Sequence, residues 1–512
     1  MKNAIAVLLF YALAGLVILP VIAYITIGII EKDLPIDTFL DNVSFGYFLE
    51  LVINPEVYRS YFTINPINAA CWGLIGYGLI MWMLSKVGPG EKKRFQQVEG
   101  YGSHGTSRWQ TDREMKEHYY KGERQGWFLG SIEPTHYVPG KSAAVHAINN
   151  TGKLNGQINL VGPPGSDKTT GFLYPNMFHI PYAYRNSEEN PDIIVTDPKG
   201  EILAYTGQYL KDYNYDIHVV DFIHLTYGDA VNVISYVEDD EDILRVAKGF
   251  VSAAGSSEGV TKTGDPIWEN GEALLLGALI AFVKEVYPEE EQTFDTIGKI
   301  IGSPNLRDPE LAEKFFERHN VEGYAAELWN KFLNLEDKVR SGVVGGLSIM
   351  MTLFSLPRVK HVTNRNTVDF RRLGTKKDKP MAIFIQMPDE DRTFSPIVNA
   401  IISILFRTMY RTARETKSRL PNPVYFILEE IANIGKIPNI EELLGTMRGR
   451  RIYPMMIWQD LNQMKRMFGD AWEGIIAKCD TQIYLGANDK FTTQYVSEQL
   501  GKTTIRTQGT SG

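Results

Sequence analysis

A chain of 512 residues, 44% hydrophobic and 22% charged, has room for about three domains of roughly 150 residues each and the composition of a folded protein. This excludes a wholly disordered, collagen-like or disulfide-scaffold chain. The formal net charge of −8 argues against a globally basic DNA-coating protein and leaves room for local basic patches.

Ala4 to Ile30 carries no charged residue, and neither does Tyr61 to Ser85. A helix rising about 1.5 Å per residue crosses about 30 Å of hydrocarbon in roughly 20 residues, so two membrane spans are predicted at 4–30 and 61–85. A cleaved signal peptide is the alternative for the first, with Lys2 as its n-region and Ala12-Leu13-Ala14 as its cleavage site. The apolar run that continues past that site, and the second run, argue against it. Lys86, Lys92, Lys93, Arg94 and Arg108 follow the second span, whereas the loop Glu31 to Ser60 holds only Lys32 and Arg59 as cations. The positive-inside rule then places both termini in the cytoplasm and that loop outside. Cys71 lies within the second apolar run and Cys479 far from it, so neither a disulfide framework nor a cysteine zinc site is expected, and the body reads as facing a reducing compartment. Residues 1–86 are thus an expected two-helix anchor, and 87–144 a juxtamembrane linker.

From Gln157 onward short apolar runs alternate with helical stretches, the pattern of a parallel sheet covered by helices on both faces. The predicted strands are Ile158 to Val161, Ile193 to Thr196, Ile217 to Asp221, Met381 to Gln386, Val424 to Leu428, Met455 to Trp458 and Gln482 to Leu485. Each is four to six residues long and mostly apolar on both faces, as a strand between two helical layers should be. Between about Asp240 and Thr375 the strand signal gives way to helical periodicity, as in Trp268 to Val286 and Lys338 to Phe354. The expected fold class is α/β, a nucleotide-binding domain at 145–240 and 375–500 interrupted by an all-helical insertion at 241–374. Residues 501–512 read as a frayed polar tail.

Directly after the first of these strands comes Gly162-Pro163-Pro164-Gly165-Ser166-Asp167-Lys168-Thr169-Thr170. The spacing is that of a P-loop, in which backbone N–H groups and a helix N-terminus surround phosphates, the lysine reaches the outer ones and the hydroxyl meets magnesium. Gly162, Gly165, Ser166, Lys168, Thr169 and Thr170 are the expected nucleotide-binding residues. A chance Gly-Pro turn is the alternative. The glycine normally preceding the lysine is Asp167, whose carboxylate should repel phosphate and whose side chain obstructs close approach. The strand ending at Leu428 is followed by Glu429 and Glu430, the Walker B pattern in which the first acid holds the metal shell and the second polarises water. Glutamate in place of aspartate at 429 pushes the carboxylate one methylene further out. Gln459 ends the strand after Walker B, as a phosphate sensor or as a capping side chain. The turn Asp197-Pro198-Lys199-Gly200-Glu201 lies at the carboxyl edge of the sheet, where open α/β folds bind ligands.

These features resemble the type IV coupling proteins, the TraG/VirD-type ATPases of conjugation and type IV secretion. The resemblance rests on Gly105-Thr106-Ser107-Arg108-Trp109, the altered P-loop, Thr196 to Glu201, Asp265-Pro266-Ile267-Trp268, and above all Leu428 to Pro438 with Arg448-Gly449-Arg450, Gln459 and Gly486-Ala487-Asn488-Asp489. It implies a RecA-like domain in a membrane-tethered homo-hexamer that uses ATP and Mg2+ to pass a relaxase-bound single strand into the secretion channel. The helical insertion would select cargo. Lys168 and Thr169 would hold nucleotide, Thr169 and Glu429 the metal, Glu430 the water, Gln459 the terminal phosphate, and Arg450 would act as an arginine finger on the neighbouring subunit. It also implies an inner-membrane, multi-pass protein that contacts channel subunits, and further strand-forming sequence beyond the segment Gly501 to Thr507. Asp167 and Glu429 depart from the family pattern and weaken the inheritance of hydrolysis.

Two basic clusters are candidate DNA contacts. Arg407, Arg411, Arg414 and Lys417 share one helical face by their spacing, and Arg371, Arg372, Lys376, Lys377 and Lys379 crowd a probable loop. A solvated surface is the alternative for each. The rival functions are a non-hydrolysing substrate receptor and an FtsK-like DNA translocase, and the long helical insertion argues against the second.

Overall fold

The computed structural model describes residues 154–257, 266–303 and 309–503, with the stretches 95–97, 107–109, 113–114, 119–121, 125–131, 143–147 and 505–507 and the single residues 111 and 306. The expected spans at 4–30 and 61–85, Gly105-Thr106 and Asp265 lie outside the described residues. Among the described residues no single helix is long and apolar enough to cross a membrane.

The chain divides into two compact units, residues 1–106 with 503–512, and residues 107–502. In the first, strand β1 (Phe95–Gln97) pairs antiparallel with the strand Ile505–Thr507, placing Phe95 opposite Thr507. Within the tail expected at 501–512, residues 505–507 are strand. The β-branched Ile505 and Thr507 favour an extended backbone, and a strand partner is present for them.

The second unit holds β2 (Tyr119–Lys121), β3 (Gly126–Ser131), β4 (Ala143–Ala147), β5 (Ile158–Val161), β6 (Asp192–Thr196), β7 (Asp216–Asp221), β8 (Met381–Gln386), β9 (Val424–Leu428), β10 (Ile452–Trp458) and β11 (Thr481–Tyr484). Seven of these form one sheet in the order β11-β5-β10-β9-β6-β8-β7, with every neighbouring pair parallel. This is the two-sided parallel α/β sheet that the apolar runs predict. Alternate residues of each strand point to opposite layers. Ile193 and Val195, Ile158 and Leu160, and Tyr425 and Ile427 enter one apolar cluster with Leu173, Met177 and Leu210. Ile194, Val161, Phe426 and Leu428 enter the other, with Phe406, Met409 and Leu444.

The small sheet β2-β4-β3 is antiparallel and lies largely in the stretch expected to be linker. Trp127 of β3 is fully buried, donates from Nε1 to Gly156 O at 2.7 Å and meets Tyr425 edge-on, with ring centroids 4.8 Å apart. Asn176 satisfies both the N–H and the C=O of Phe128, at 2.8 and 3.0 Å, tying β3 to the helix Tyr174–Tyr184.

Between β7 and β8 the described residues contain helices and no strand, from Asp240–Ser257 and Ile267–Val286 to Pro357–Thr363. Phe250, Phe294 and Phe354 stack with centroids 4.7 to 5.8 Å apart at the centre of this helical region. They belong to the same apolar cluster as the helix Ser395–Glu415, so the helices and one face of the sheet share a core.

Candidate nucleotide-binding site

The site begins where β5 runs out. Gly162 N donates to Trp458 O at 3.0 Å, and a Cβ at Gly162 would stand 2.3 Å from Ser166 Oγ, so any larger residue there would force the Ser166 hydroxyl to move. Gly165 follows at φ +78° and Asp167 at φ +59°, both in the left-handed region that L-residues avoid. Asp167 thus adopts the backbone of the glycine it replaces. Its Oδ1 accepts from Thr170 Oγ1 at 3.1 Å, which turns the carboxylate along the first helical turn. That turn, Lys168–Leu173, is π-wound, with Tyr174 N donating to Thr169 O, before the α-helix Tyr174–Tyr184 continues. Single π turns of this kind concentrate at functional sites.

Lys168 Nζ folds back over the loop and donates to Gly162 O at 2.7 Å and Pro163 O at 3.0 Å. Burial pushes its pKa down, and the carboxylates of Glu430 and Glu429 oppose that shift. Ser166 Oγ is buried beneath the loop with no hydrogen-bond partner among the described residues.

The carboxylates arrive at the end of β9. Thr169 Oγ1 donates to Glu429 Oε1 at 2.9 Å, and Thr196 Oγ1 on the adjacent β6 donates to Glu429 O at 2.8 Å. Burial raises the Glu429 pKa to about 7; the Thr169 hydrogen bond opposes this, and Glu430, Asp197 and Glu201 add to it. Glu430 stands at φ +48°. Both its oxygens are held, Oε1 by Gln459 Nε2 at 3.3 Å and Oε2 by Asn433 Nδ2 at 2.9 Å. Gln459 is delivered from between the other two elements, because β10 lies between the P-loop strand β5 and the carboxylate strand β9.

Together these residues line a cleft of about 310 Å³ bounded by residues 164–170, Glu429, Glu430 and Gln459. Pro198, Lys199 and Glu201 close it from the turn after β6, the carboxyl edge position expected for that motif. Asp197 faces inward instead: its oxygens accept from Ile202 N and Leu203 N at 3.2 and 3.0 Å and cap the helix Glu201–Asp212. Burial raises its pKa against those hydrogen bonds. Sequence reasoning gave no role to Asn433, Lys199 or Glu201, although each lies inside a quoted motif.

Arg450 does not reach this cleft. It ends the helix Ile440–Arg450, donates from Nη1 to Thr446 O at 2.9 Å and lies over the Tyr410 ring at 4.5 Å. The basic face of the helix Ser395–Glu415 also differs from a free DNA track. Arg407 pairs with Asp239, Glu241 and Asp242 at 2.6 to 3.1 Å, and Arg411 with Glu238, Asp239 and Asp242 at 2.7 to 2.9 Å. In the second cluster Arg371 pairs with Glu238, and Lys377 with the buried Asp192 at 2.6 Å. Arg407, Arg411 and Lys377, whose side chains are 11%, 22% and 7% exposed, are committed to acids within the fold, whereas Arg371, 49% exposed, keeps a solvated face.

Residues 108–512 match the family model described as Type IV secretory system Conjugative DNA transfer. A probable conjugal transfer protein TraG of Sinorhizobium fredii is 23% identical over 323 residues, which cover 61% of this chain and 48% of that protein. Protein VirD4 of Agrobacterium fabrum is 21% identical over 368 residues, covering 69% and 50%. The chain spans about half the length of these curated relatives. Among solved structures, the bacterial conjugative coupling protein TrwB in complex with sulphate aligns with a TM-score of 0.48 at 14% identity, covering 79% of this chain and 87% of that one. TrwB in complex with ADP and Mg2+ aligns with a TM-score of 0.48 at 15% identity, covering 76% and 85%.

Proposed function

Because the chain belongs to the type IV secretory system conjugative DNA transfer family, we propose that it is a membrane-anchored coupling ATPase. It recruits a relaxase-bound DNA or a protein substrate and delivers it to the secretion channel. The observation that carries this reading is the convergence of Lys168, Thr169, Glu429, Glu430 and Gln459 on one cleft from three neighbouring parallel strands.

The residues fit ATP and Mg2+. The orphaned Ser166 hydroxyl, the loop amides and Lys168 are donors suited to phosphate oxygens, and the paired Thr169 hydroxyl and Glu429 carboxylate are the hard oxygen donors that magnesium takes. Bound ATP supplies the phosphoanhydride whose hydrolysis drives transport. Lys168 exchanges its two carbonyl partners for phosphate. Glu430, held at both oxygens by Gln459 and Asn433, orients the attacking water and takes its proton. Gln459, which donates to Glu430, would also be the side chain nearest to sense the terminal phosphate. Arg450 lies outside its own subunit's cleft and serves a neighbour's, which requires a ring of copies, in this reading a homo-hexamer. The single strand would run through that ring.

The anchor completes the proposal: spans at 4–30 and 61–85 hold the protein in the inner membrane with both termini cytoplasmic. A reporter fused after Asp41 should then read as exterior and one after Arg94 as cytoplasmic, and the reverse pattern sinks the topology.

Turnover of ATP by the purified full chain, with and without single-stranded DNA, tests the motor. DNA-stimulated turnover should fall by about 10²-fold or more in Lys168→Ala and in Glu430→Gln. Equal turnover in parent and Lys168→Ala refutes the assignment. A second reading, a receptor that binds nucleotide without hydrolysing it, is favoured by Asp167 in the loop and by the raised pKa of Glu429. Nucleotide binding with no turnover in the parent selects it.

A further inference from the structure

Tyr205, on the helix Glu201–Asp212, is 63% exposed and yet firmly held. Its ring stacks on Tyr174, with centroids 4.6 Å apart and planes 26° apart, and Phe178 meets it edge-on at 6.0 Å. Tyr209 braces Phe178 from the far side at 4.9 Å. One face of Tyr205 is thus covered and the other is open to solvent. A ring fixed from behind and free in front can accept a second flat ring at little further cost in ordering.

Both rings of the stacked pair stand one helical turn from the nucleotide cleft. The N–H of Tyr174 donates to Thr169 O across the π turn, which places Tyr174 one turn beyond Thr169 and Thr170, two residues of the cleft wall. Tyr205 follows Glu201, another residue of that wall, by four positions and so shares its helix face. The electrostatics agree: burial, and then the carboxylates of Glu201, Glu429 and Asp197, push the pKa of the Tyr174 hydroxyl up to about 12. Thr170 and Gly171, small and exposed, form the surface of the π turn, and Phe172 and Leu173 are buried beneath it, which leaves room for a ribose between phosphates and rings.

We propose that the Tyr174–Tyr205 pair seats the base of the nucleotide, a purine ring stacking on the open face of Tyr205 while the triphosphate lies in the P-loop. This rests on the nucleotide-binding reading of the cleft and adds the half of the ligand that Lys168 and Thr169 do not touch. A two-ring purine covers more of the tyrosine than a pyrimidine and is the better ligand. Stacking is tolerant of base identity, so adenine and guanine nucleotides bind alike. A strand of DNA fits the same rings poorly, because the charged residues of the helix Glu201–Asp212 are Glu201, Lys211 and Asp212, and a backbone of phosphates needs cations beside its bases.

The test is calorimetric titration of the purified full chain with ATP, and with sodium tripolyphosphate as a ligand that has no base. Tyr205→Ala should weaken ATP at least about fivefold and leave tripolyphosphate within about twofold of the parent, and Tyr205→Phe, which keeps the ring, should bind ATP as the parent does. In Tyr205→Trp the added indole fluorescence should be quenched by ATP and not by tripolyphosphate. An unchanged Kd for ATP in Tyr205→Ala overturns the proposal. So does an equal weakening of ATP and tripolyphosphate, which would place the effect in the phosphate loop. The two readings fail separately: ATP binding that is lost in Lys168→Ala and indifferent to Tyr205→Ala refutes the base seat alone. ATP binding that is absent from the parent, or that survives Lys168→Ala, refutes the cleft and the base seat together.

Discussion

The hydroxyl of Thr169 donates to Oε1 of Glu429 at 2.9 Å, joining the P-loop to the end of β9 across 260 positions of sequence. The carboxyl group so held is only 9% exposed, and burial raises its pKa from 4.5 to about 7. With the folded value above the unfolded one, the folded chain binds this proton more tightly. The resulting stabilisation is full below pH 4.5 and is lost as pH rises to about 7. At pH 8 the ionised group is therefore a burden, of order 1–3 kcal/mol. Glu429→Gln, measured by urea unfolding in chelator without nucleotide, should stabilise the protein by that order at pH 8 and by little at pH 5. Equal effects at both pH values would show that Glu429 ionises freely in the folded state.

Asp167 poses a different balance. Its left-handed backbone at φ +59° costs an L-residue about 1 kcal/mol, and glycine would remove that strain while adding a similar entropic cost in the unfolded chain. Asp167→Gly should therefore leave stability within about 1 kcal/mol of the parent. Nucleotide affinity should respond more, because a negative charge leaves the phosphate loop: a gain of about 1 kcal/mol, or roughly fivefold in Kd, is expected from fluorescent-nucleotide titration. An unchanged Kd would mean that the hydrogen bond from Thr170 already holds the carboxylate clear of the phosphates.

Asp242 is 2% exposed and sits between two arginines, accepting from Arg407 Nε at 2.6 Å and from Arg411 Nη2 at 2.7 Å. Removing it leaves two partly buried guanidinium groups short of a counter-charge, and Asp242→Ala should cost about 3–5 kcal/mol in denaturant unfolding. Of the outer partners, Glu241 is 75% exposed and its alanine variant should cost well under 1 kcal/mol, whereas Asp239, 42% exposed, also accepts from Asp242 N at 2.8 Å at the start of the helix Asp240–Ser257, so Asp239→Ala should cost about 1 kcal/mol. Since Arg407 is engaged here, Arg407→Ala should leave the salt dependence of DNA binding unchanged. A log–log slope that drops by about one in that variant would instead mark Arg407 as a phosphate contact.

The central strands were legible because a strand buried on both faces is largely apolar, and Val424–Leu428 is buried throughout; the edge strands β7 and β11 are only partly buried and carry Asp216, His218 and Gln482. The P-loop, Glu429, Glu430 and Gln459 were legible because their spacing and strand-end positions are fixed by backbone geometry. The ion-pair network was not. The spacing of Arg407 and Arg411 announces a shared face, but nothing local announces that Asp242, 165 positions earlier, covers it. The small sheet around Trp127 escaped for a related reason: β3 carries Gly126 and Gly130, poor strand formers, and its place is set by Tyr425 and Asn176 from distant segments. The turn Asp197 to Glu201 was legible as a carboxyl-edge element, but only the folded turn shows that both Asp197 oxygens face backbone amides while Lys199 and Glu201 reach the cleft.

His218 on the edge strand β7 offers a test of stability that does not involve the nucleotide cleft. Its Nδ1 lies 3.2 Å from Asp229 Oδ2 and its Nε2 3.4 Å from Asp216 Oδ2, and Asp216 also meets Arg372 at 3.9 Å. The Asp229 hydrogen bond raises the His218 pKa above 6.5, against burial and with help from the charges of Asp229 and Asp216. Burial would raise Asp229, but hydrogen bonds from His218, Thr367 and the Val219 amide bring it below 3.8. The signs differ. The contribution of His218 is full below its unfolded pKa and is lost as pH rises through the raised folded value. That of Asp229 is present above 3.8 and is lost as pH falls through its depressed value. The pair is thus strongest in the mildly acidic window between them. His218→Gln should cost about 1 kcal/mol at pH 5.5 and much less at pH 8.5, as read from urea unfolding. A cost that does not change between those two pH values would assign the whole effect to packing of the ring and none to its proton.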